Sequence, residues 1–537
     1  MKRCCYNNLQ IWLCIGFEQA LTNFSMQNAP VQSHPASMPT PSYNMDDWRR
    51  GYRSLKQEYR YWIDDIEGEI PPELNGTLFR NGPGLLDVHG QPVHHPFDGD
   101  GMICAIAFKD GQAYFQNRYV QTEGYLAEQT AKKVLYRGVF GTQKPGGWLA
   151  NAFDFRLKNI ANTQVLYWGG KLLALWEAAE PHRLDPQTLE TLGKDDLDGI
   201  LQPGDAFAAH PWIDPACEAD SGAPCLVNFA IKPGLSTAIT VYELNPAGQL
   251  LRRHTHNVPG FAFIHDFAIT PNYCIFFQNP VTFNPLPFLL GMRGAAECIT
   301  VQPKQPTQMI VIPRWGQAPM QLIPIEAGFV FHHANAFEQG GELVVDSVCY
   351  DGFPTVDPGD DYQSVRFEKL PPGQLWRFRV NLQDKTVNRK LVEPRCCEFP
   401  VVHPAHVGRP YRYVYLGAAH HPEGNAPLQA VVKVDLETGD RQLWSAAPRG
   451  FAGEPIFVPR SPSAYRDHLP TGTYDGAEDD GWVLLLSFNA ERDCSDLVIL
   501  DARDLNRGAI ARLHLKHHVP YGLHGTFTPE YFGELSS

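Results

Sequence analysis

Four histidines, far apart in the chain, sit in apolar or Gly/Pro-rich surroundings. His210 lies in Ala209-His210-Pro211-Trp212, His265 in Phe263-Ile264-His265-Asp266-Phe267, His332 in Phe331-His332-His333-Ala334, and His524 in Tyr521-Gly522-Leu523-His524-Gly525. Taken singly, each reads as an ordinary turn or strand residue. Together, and with no competing ligand motif, they point to four elements converging on one metal ion. Adjacent residues of a strand face opposite ways, so only one of His332 and His333 can face such a site. Neutral imidazole suits iron, copper, nickel and zinc. A ligating imidazole needs a partner on its other ring nitrogen, commonly a carboxylate. Three glutamates lie in or beside apolar runs, Glu177, Glu398 and Glu454, and are the candidate partners, with surface strand ends as the alternative reading. The pairs His94-His95, His420-His421 and His517-His518 read as solvent-facing, and His254 with His256 lacks a third ligand.

The chain must be large enough to bring four such elements together. Its 537 residues are 43% apolar and only 19% charged, the composition of a folded globular protein with a large core. A net charge of −14 argues against nucleic acid as a partner, because a polyanion needs a basic surface. No obligate protein partner is evident. The twelve cysteines form no C-x-x-C pair, so they read as reduced, mostly buried thiols of a cytoplasmic protein. Residues 1–44 read as a disordered extension, Pro/Ser/Gln-rich after Gln27, and 45–537 as the folded domain. No apolar run is long enough to span a bilayer.

From Ile70 onward the pattern is that of strands and turns. Gly111–Val120, Leu166–Trp176, Ala238–Leu244 and Gly481–Phe488 each carry an alternating or apolar run of strand length. Asp110-Gly111, Gly169-Gly170 and Gly340-Gly341 read as hairpin turns, and Arg460 to Glu478 as a surface loop between strands. Many short strands in one long domain suggest an all-β propeller, a large barrel or stacked sandwiches. The propeller accounts best for the histidines, because its inner strands surround one axis.

Several motifs resemble the carotenoid cleavage oxygenases. They are Phe79-Arg80-Asn81-Gly82-Pro83-Gly84, His95-Pro96-Phe97-Asp98-Gly99-Asp100-Gly101-Met102, Phe331 to Glu338, Glu398-Phe399-Pro400, Glu454-Pro455-Ile456-Phe457-Val458 and Tyr521 to Thr526. The resemblance runs from about Asp46 to Phe527. It implies a seven-bladed β-propeller, capped on one face by loops and short helices, over an axial Fe(II) with His210, His265, His332 and His524 as ligands. It further implies that Glu177, Glu398 and Glu454 orient His265, His332 and His524, and that Thr163 stands near an open metal position. Trp176, Phe263, Phe331 and Phe399 would line the substrate tunnel, or serve as plain propeller core.

The activity so implied is a dioxygenase reaction. O2 cleaves the central 15,15′ double bond of an apocarotenoid, such as β-apo-8′-carotenal, into retinal and a second carbonyl product. Cleavage of another carotenoid or stilbenoid bond, isomerohydrolase chemistry on retinyl esters, and a non-enzymatic scaffold are the rival readings. A membrane-borne substrate calls for reversible, peripheral contact with a membrane surface. Phe283 to Met292, with Trp148, Leu149 and Phe153, is the candidate contact, with a buried inter-blade loop as the alternative reading, and Phe288→Asp is expected to lower activity on membrane-borne substrate if the contact is real.

Overall fold

The computed structural model describes residues 42–217, 220–234, 236–316, 318–353 and 362–534. Antiparallel hairpins, set by the alternating sequence and by tight turns, build seven blades around one axis. At Gly169-Gly170 the turn needs positive φ at both positions, 58° and 72°, which only glycine adopts without strain. The innermost strands are Gly525–Thr528 in blade 1, Gln164–Trp168 in blade 2, Trp212–Cys217 in blade 3 and Phe267–Ile269 in blade 4. Phe329–Gln339, Cys397–Val401 and Ile456–Pro459 are those of blades 5, 6 and 7.

Closure of the ring uses both ends of the chain. Gly76–Leu85 pairs with Gly525–Thr528 in blade 1, and Ile66–Gly68 pairs with Ala509–His514 in blade 7. The ring therefore cannot open without breaking ladder hydrogen bonds. The core lies between blades. One apolar cluster runs through blades 3 to 6, from Phe229 and Phe267 to Val348 and Leu416, and another joins blades 1 and 7 through Leu78, Ile106, Trp482 and Leu497. Outer strands are wetter: Leu250–Pro259 alternates between exposed and half-buried residues.

Of the expected N-terminal extension, residues 1–41 lie outside the described residues. Ser42 donates to Gln429 Oε1 at 2.9 Å, and Asn44 caps the helix Met45–Arg50. The 460–478 segment, expected as a surface loop, forms the small hairpin Tyr465–Arg466/Leu469–Pro470, and Gly472 N donates to Pro215 O of blade 3 at 3.0 Å. The nine described cysteines are buried thiols.

Candidate metal centre

Each innermost strand delivers one residue of the centre, from within the strand or from the approach just before it. Blade by blade these are His524, Thr163, His210, His265, His332, Glu398 and Glu454. His332 lies within its strand, at a point where the ladder register shifts, and Glu398 likewise lies within its strand. The other five lie in the short approaches to their strands. Glu177 follows Lys171–Leu175, the second strand of blade 2.

One ring nitrogen from each of His210, His265, His332 and His524 lies within 4.8 Å of the other three. His210 Nε2 and His265 Nε2 stand 2.8 Å apart. The opposite nitrogens of three rings are held by carboxylates. His265 Nδ1 meets Glu177 at 2.6 Å, His332 Nδ1 meets Glu398 at 2.5 Å, and His524 Nδ1 meets Glu454 at 2.7 Å. An ionised carboxylate only accepts, so each Nδ1 carries the proton and each Nε2 presents a lone pair inward. His332 Nε2 is buried with no hydrogen-bond partner, as expected of a donor atom awaiting a cation.

The electrostatics agree. Burial pushes the Glu398 carboxyl up, but His332, the Phe399 N–H and the Tyr350 hydroxyl outweigh it and hold it below the usual range. Burial also opposes ionisation of Glu454, which Arg80 and His524 overcome, and of Glu177, which His265 overcomes. His210 is driven well below its ordinary value by burial and by the three facing imidazoles. Three carboxylates bonded to the imidazoles, against one permanent cation, Arg80, leave the centre with negative charge in excess. Four neutral nitrogens in that field fit a divalent metal ion.

The strand alternation expected at His332-His333 is present. His333 turns outward, its Nδ1 2.8 Å from Ser347 Oγ and its ring against Phe277. Thr163 is buried beside the centre, where its carbonyl accepts the His524 N–H at 3.1 Å. Phe331 stands 5.5 Å from the His265 ring, and Phe399 stands 5.6 Å from His332 and 5.4 Å from His524. Phe263 is one layer back, against Phe329 and Phe353. Trp176 is buried and lines a cavity with Asp98, Glu128, Lys158 and Ile160.

Two expectations need correction. Phe288 is buried, with the Arg137 guanidinium 4.1 Å from its ring centroid, so it belongs to the core rather than to the exposed surface. Its helix, Pro285–Leu289, turns Leu286 outward instead. His517 is also buried, stacked on Tyr59 at 4.1 Å.

The sequence matches the profile of the retinal pigment epithelial membrane protein family, RPE65, over residues 52–529. The chain belongs to this family of carotenoid cleavage oxygenases. The apocarotenoid-15,15′-oxygenase of Synechocystis sp. is 57% identical over 499 residues, which span 93% of this chain and 99% of that protein. Isoeugenol monooxygenase of Pseudomonas nitroreducens is 31% identical over 477 residues, spanning 87% of this chain and 94% of that protein. The crystal structure of the cobalt-substituted Synechocystis oxygenase matches with a TM-score of 0.87 at 57% identity, covering 91% of this chain and 99% of that one.

Four residues of this carotenoid cleavage oxygenase centre escaped the sequence reading. Tyr350 donates its hydroxyl to Glu398 Oε1 at 2.7 Å, and the Arg80 guanidinium pairs with Glu454. Asp266 accepts the His333 N–H at 2.8 Å, and burial pushes its carboxyl up to about 6. Phe353 packs on Phe263, Phe329 and Phe331. Arg80 and Asp266 lie within motifs already quoted. Tyr350 and Phe353 carried no signal, because only the hairpin of blade 5 brings them back to the axis.

Proposed function

We propose that the chain is a non-haem Fe(II)-dependent oxygenase that cleaves the central 15,15′ double bond of an apocarotenoid with O2, giving retinal and a second carbonyl product. The observation that carries this reading is the set of four inward-facing imidazole nitrogens, three of them backed by carboxylates, in a field of excess negative charge. The 57% identical relative named for this reaction supports it.

His210, His265, His332 and His524 would hold the iron. Bound there, it supplies the electrons that make O2 reactive toward an electron-rich double bond. The remaining work belongs to the protein. Glu177, Glu398 and Glu454 keep each Nδ1 protonated and fix the ring planes. Thr163 anchors the His524 backbone and places a small side chain at the wall of the site. Phe331, Phe399, Phe263 and Trp176 offer aromatic faces to the polyene and exclude water, so one double bond is held beside the metal. Each of its two carbons ends as a carbonyl.

An apolar polyene is met at a membrane surface. Trp148, Leu149, Phe153, Leu286 and Met292 are each more than half exposed, and their two segments are joined where Phe153 N donates to Leu289 O. A patch of this kind suits a reversible membrane contact. No helix among the described residues is long and apolar enough to cross a bilayer.

Incubation of the Fe(II)-loaded protein with β-apo-8′-carotenal in air should give retinal, identified by chromatography and mass spectrometry. Turnover should stop without O2. A different aldehyde would move the cleavage position, and turnover of a stilbenoid alone would replace the substrate class.

A further inference from the structure

We infer that Asp266 is a positioning residue that sets the mutual spacing of three of the four histidines; this rests on the metal reading above and deepens it. Blades 3, 4 and 5 belong to separate sheets, so no ladder hydrogen bond fixes one inner strand against the next. A metal site needs that spacing held closely, by groups that are themselves locked in place. Asp266 is buried, and its carboxylate bonds to all three blades. Its Oδ1 accepts the Phe267 N–H of its own blade 4 at 2.7 Å and the Trp212 Nε1–H of blade 3 at 3.3 Å. Its Oδ2 accepts the His333 N–H of blade 5 at 2.8 Å.

The residues joined in this way each lie beside a candidate ligand. Trp212 follows His210 by two positions, and Pro211 between them stiffens the link. Asp266 follows His265 directly, and His333 follows His332. The ladder of Phe329–Gln339 shifts register on both sides of His333, the kind of break that bulges provide beside functional sites. The His333 N–H goes to the carboxylate. The Trp212 indole also donates to Phe267 O, so blades 3 and 4 are tied twice.

This role differs from that of the three glutamates. Glu177, Glu398 and Glu454 each orient one ring through its Nδ1. Asp266 bonds instead to backbone and indole N–H groups, and so acts on where the ligand-bearing segments stand. The fourth histidine is held by other means: His524 N donates to Thr163 O, and Gly525 N donates to Glu454.

The test uses the full chain stripped of metal and reloaded with Co(II), whose visible absorption reports ligand geometry without substrate or turnover. Asp266→Asn keeps the shape but turns an amino group toward a donor that it should accept from. It should alter the cobalt spectrum and weaken cobalt retention about tenfold against a chelator, with a melting profile close to wild type. Trp212→Phe removes the blade 3 arm alone and should shift the spectrum in the same direction, with a smaller loss. The double variant should do little more than Asp266→Asn. With Fe(II) loaded, kcat should fall while KM for β-apo-8′-carotenal stays close to wild type, because the aromatic residues offered to the polyene are unchanged. A wild-type spectrum and affinity in folded Asp266→Asn would overturn the proposal, and Trp212→Phe decides it should that variant not fold. An effect of Asp266→Asn with none of Trp212→Phe would also overturn it, assigning Asp266 a role through charge alone. Wild-type protein that takes up no cobalt would instead overturn the metal reading.

Discussion

Among the described residues, two groups of side chains could hold a metal on composition alone, and only one of them has the charge that calls for it. At one end of the inner strands, four imidazoles and three carboxylates share a single guanidinium, Arg80. Farther along blade 3, Asp214, Cys217 and Cys225 also cluster, but Arg314 enters the cluster. Its Nη1 lies 2.7 Å from Asp214, its Nη2 lies 3.1 Å from Glu243, and the two sulfurs are 3.8 and 3.5 Å away. Arg409 adds a second cation to Asp214 at 2.9 Å. That cluster carries its own countercharge and is structural. The axial centre lacks one, and its excess charge is what a bound cation would balance. Donor atoms in proximity are therefore a weak sign of a metal site, and an uncompensated field is the stronger one.

The sharpest break in the comparison is to remove a donor from the axial centre. His332→Ala should abolish iron retention, measured by elemental analysis, and reduce retinal formation to background, while the melting profile stays close to wild type. The matching change in the self-balanced cluster should do the reverse. Arg314→Met leaves Glu243 buried without a cationic partner and Asp214 with Arg409 alone, at a cost of about 3–5 kcal/mol in unfolding free energy by urea titration. Any variant protein that folds should still bind iron in full. Loss of iron from folded Arg314→Met protein would show that the two clusters are coupled after all.

A subtler change tests the field rather than the donors. Glu398→Gln keeps the shape beside His332 but removes one of the charges that the metal balances. Iron affinity should fall about 10- to 100-fold, read by competition with a chelator. An unchanged affinity would mean that orientation, not charge, is all Glu398 contributes.

Much of this contrast was legible in the sequence, and the reasons are specific. His210, His265, His332 and His524 stood out because imidazoles in apolar runs need an explanation, and the strand period placed His333 on the other face. Glu177, Glu398 and Glu454 stood out for the same reason. Arg80 and Tyr350 did not, since an arginine within a strand and a tyrosine at a strand end are ordinary in any sheet. Phe288 misled because Phe283 to Met292 is apolar throughout, and apolarity alone does not say which face of a five-residue helix turns outward. The burial of Arg314 was invisible, because its partners come from strands separated by up to a hundred residues.

Buried histidines extend the comparison to pH. His403 is fully buried and stacked on Tyr474 at 4.7 Å, with no carboxylate bonded to its ring. Burial, with the neighbouring His406, lowers it to about 3. In the unfolded chain it titrates near its ordinary value, so its contribution is complete above that value and is lost as pH falls toward about 3. Between those limits the wild type should lose at most about 1.4 kcal/mol per pH unit through this group. His403→Phe should flatten that part of the acid limb of the urea midpoint, and an unaltered limb would assign the loss to other groups.

The smallest expected effect tests how far the field around the axial centre reaches. Tyr350 touches no histidine, but its hydroxyl occupies Glu398 Oε1 while His332 and the Phe399 N–H take Oε2. The ring is held in place because Gly373 leaves room for it; a Cβ there would come within 2.7 Å of the tyrosine. Tyr350→Phe removes one hydrogen bond to an ionised group and leaves the carboxylate in place. Such a bond is worth about 1.5–3 kcal/mol in all, and the part of it that steadies the charge toward the metal corresponds to a several-fold loss of iron affinity, well short of that for Glu398→Gln. If Glu398 acts as a fixed charge, the two substitutions should combine to little more than Glu398→Gln alone, because the phenol then has no charge left to steady. Additive losses in the double variant would mean that Tyr350 acts on the site by another route, through its contact with Phe331 at 6.0 Å.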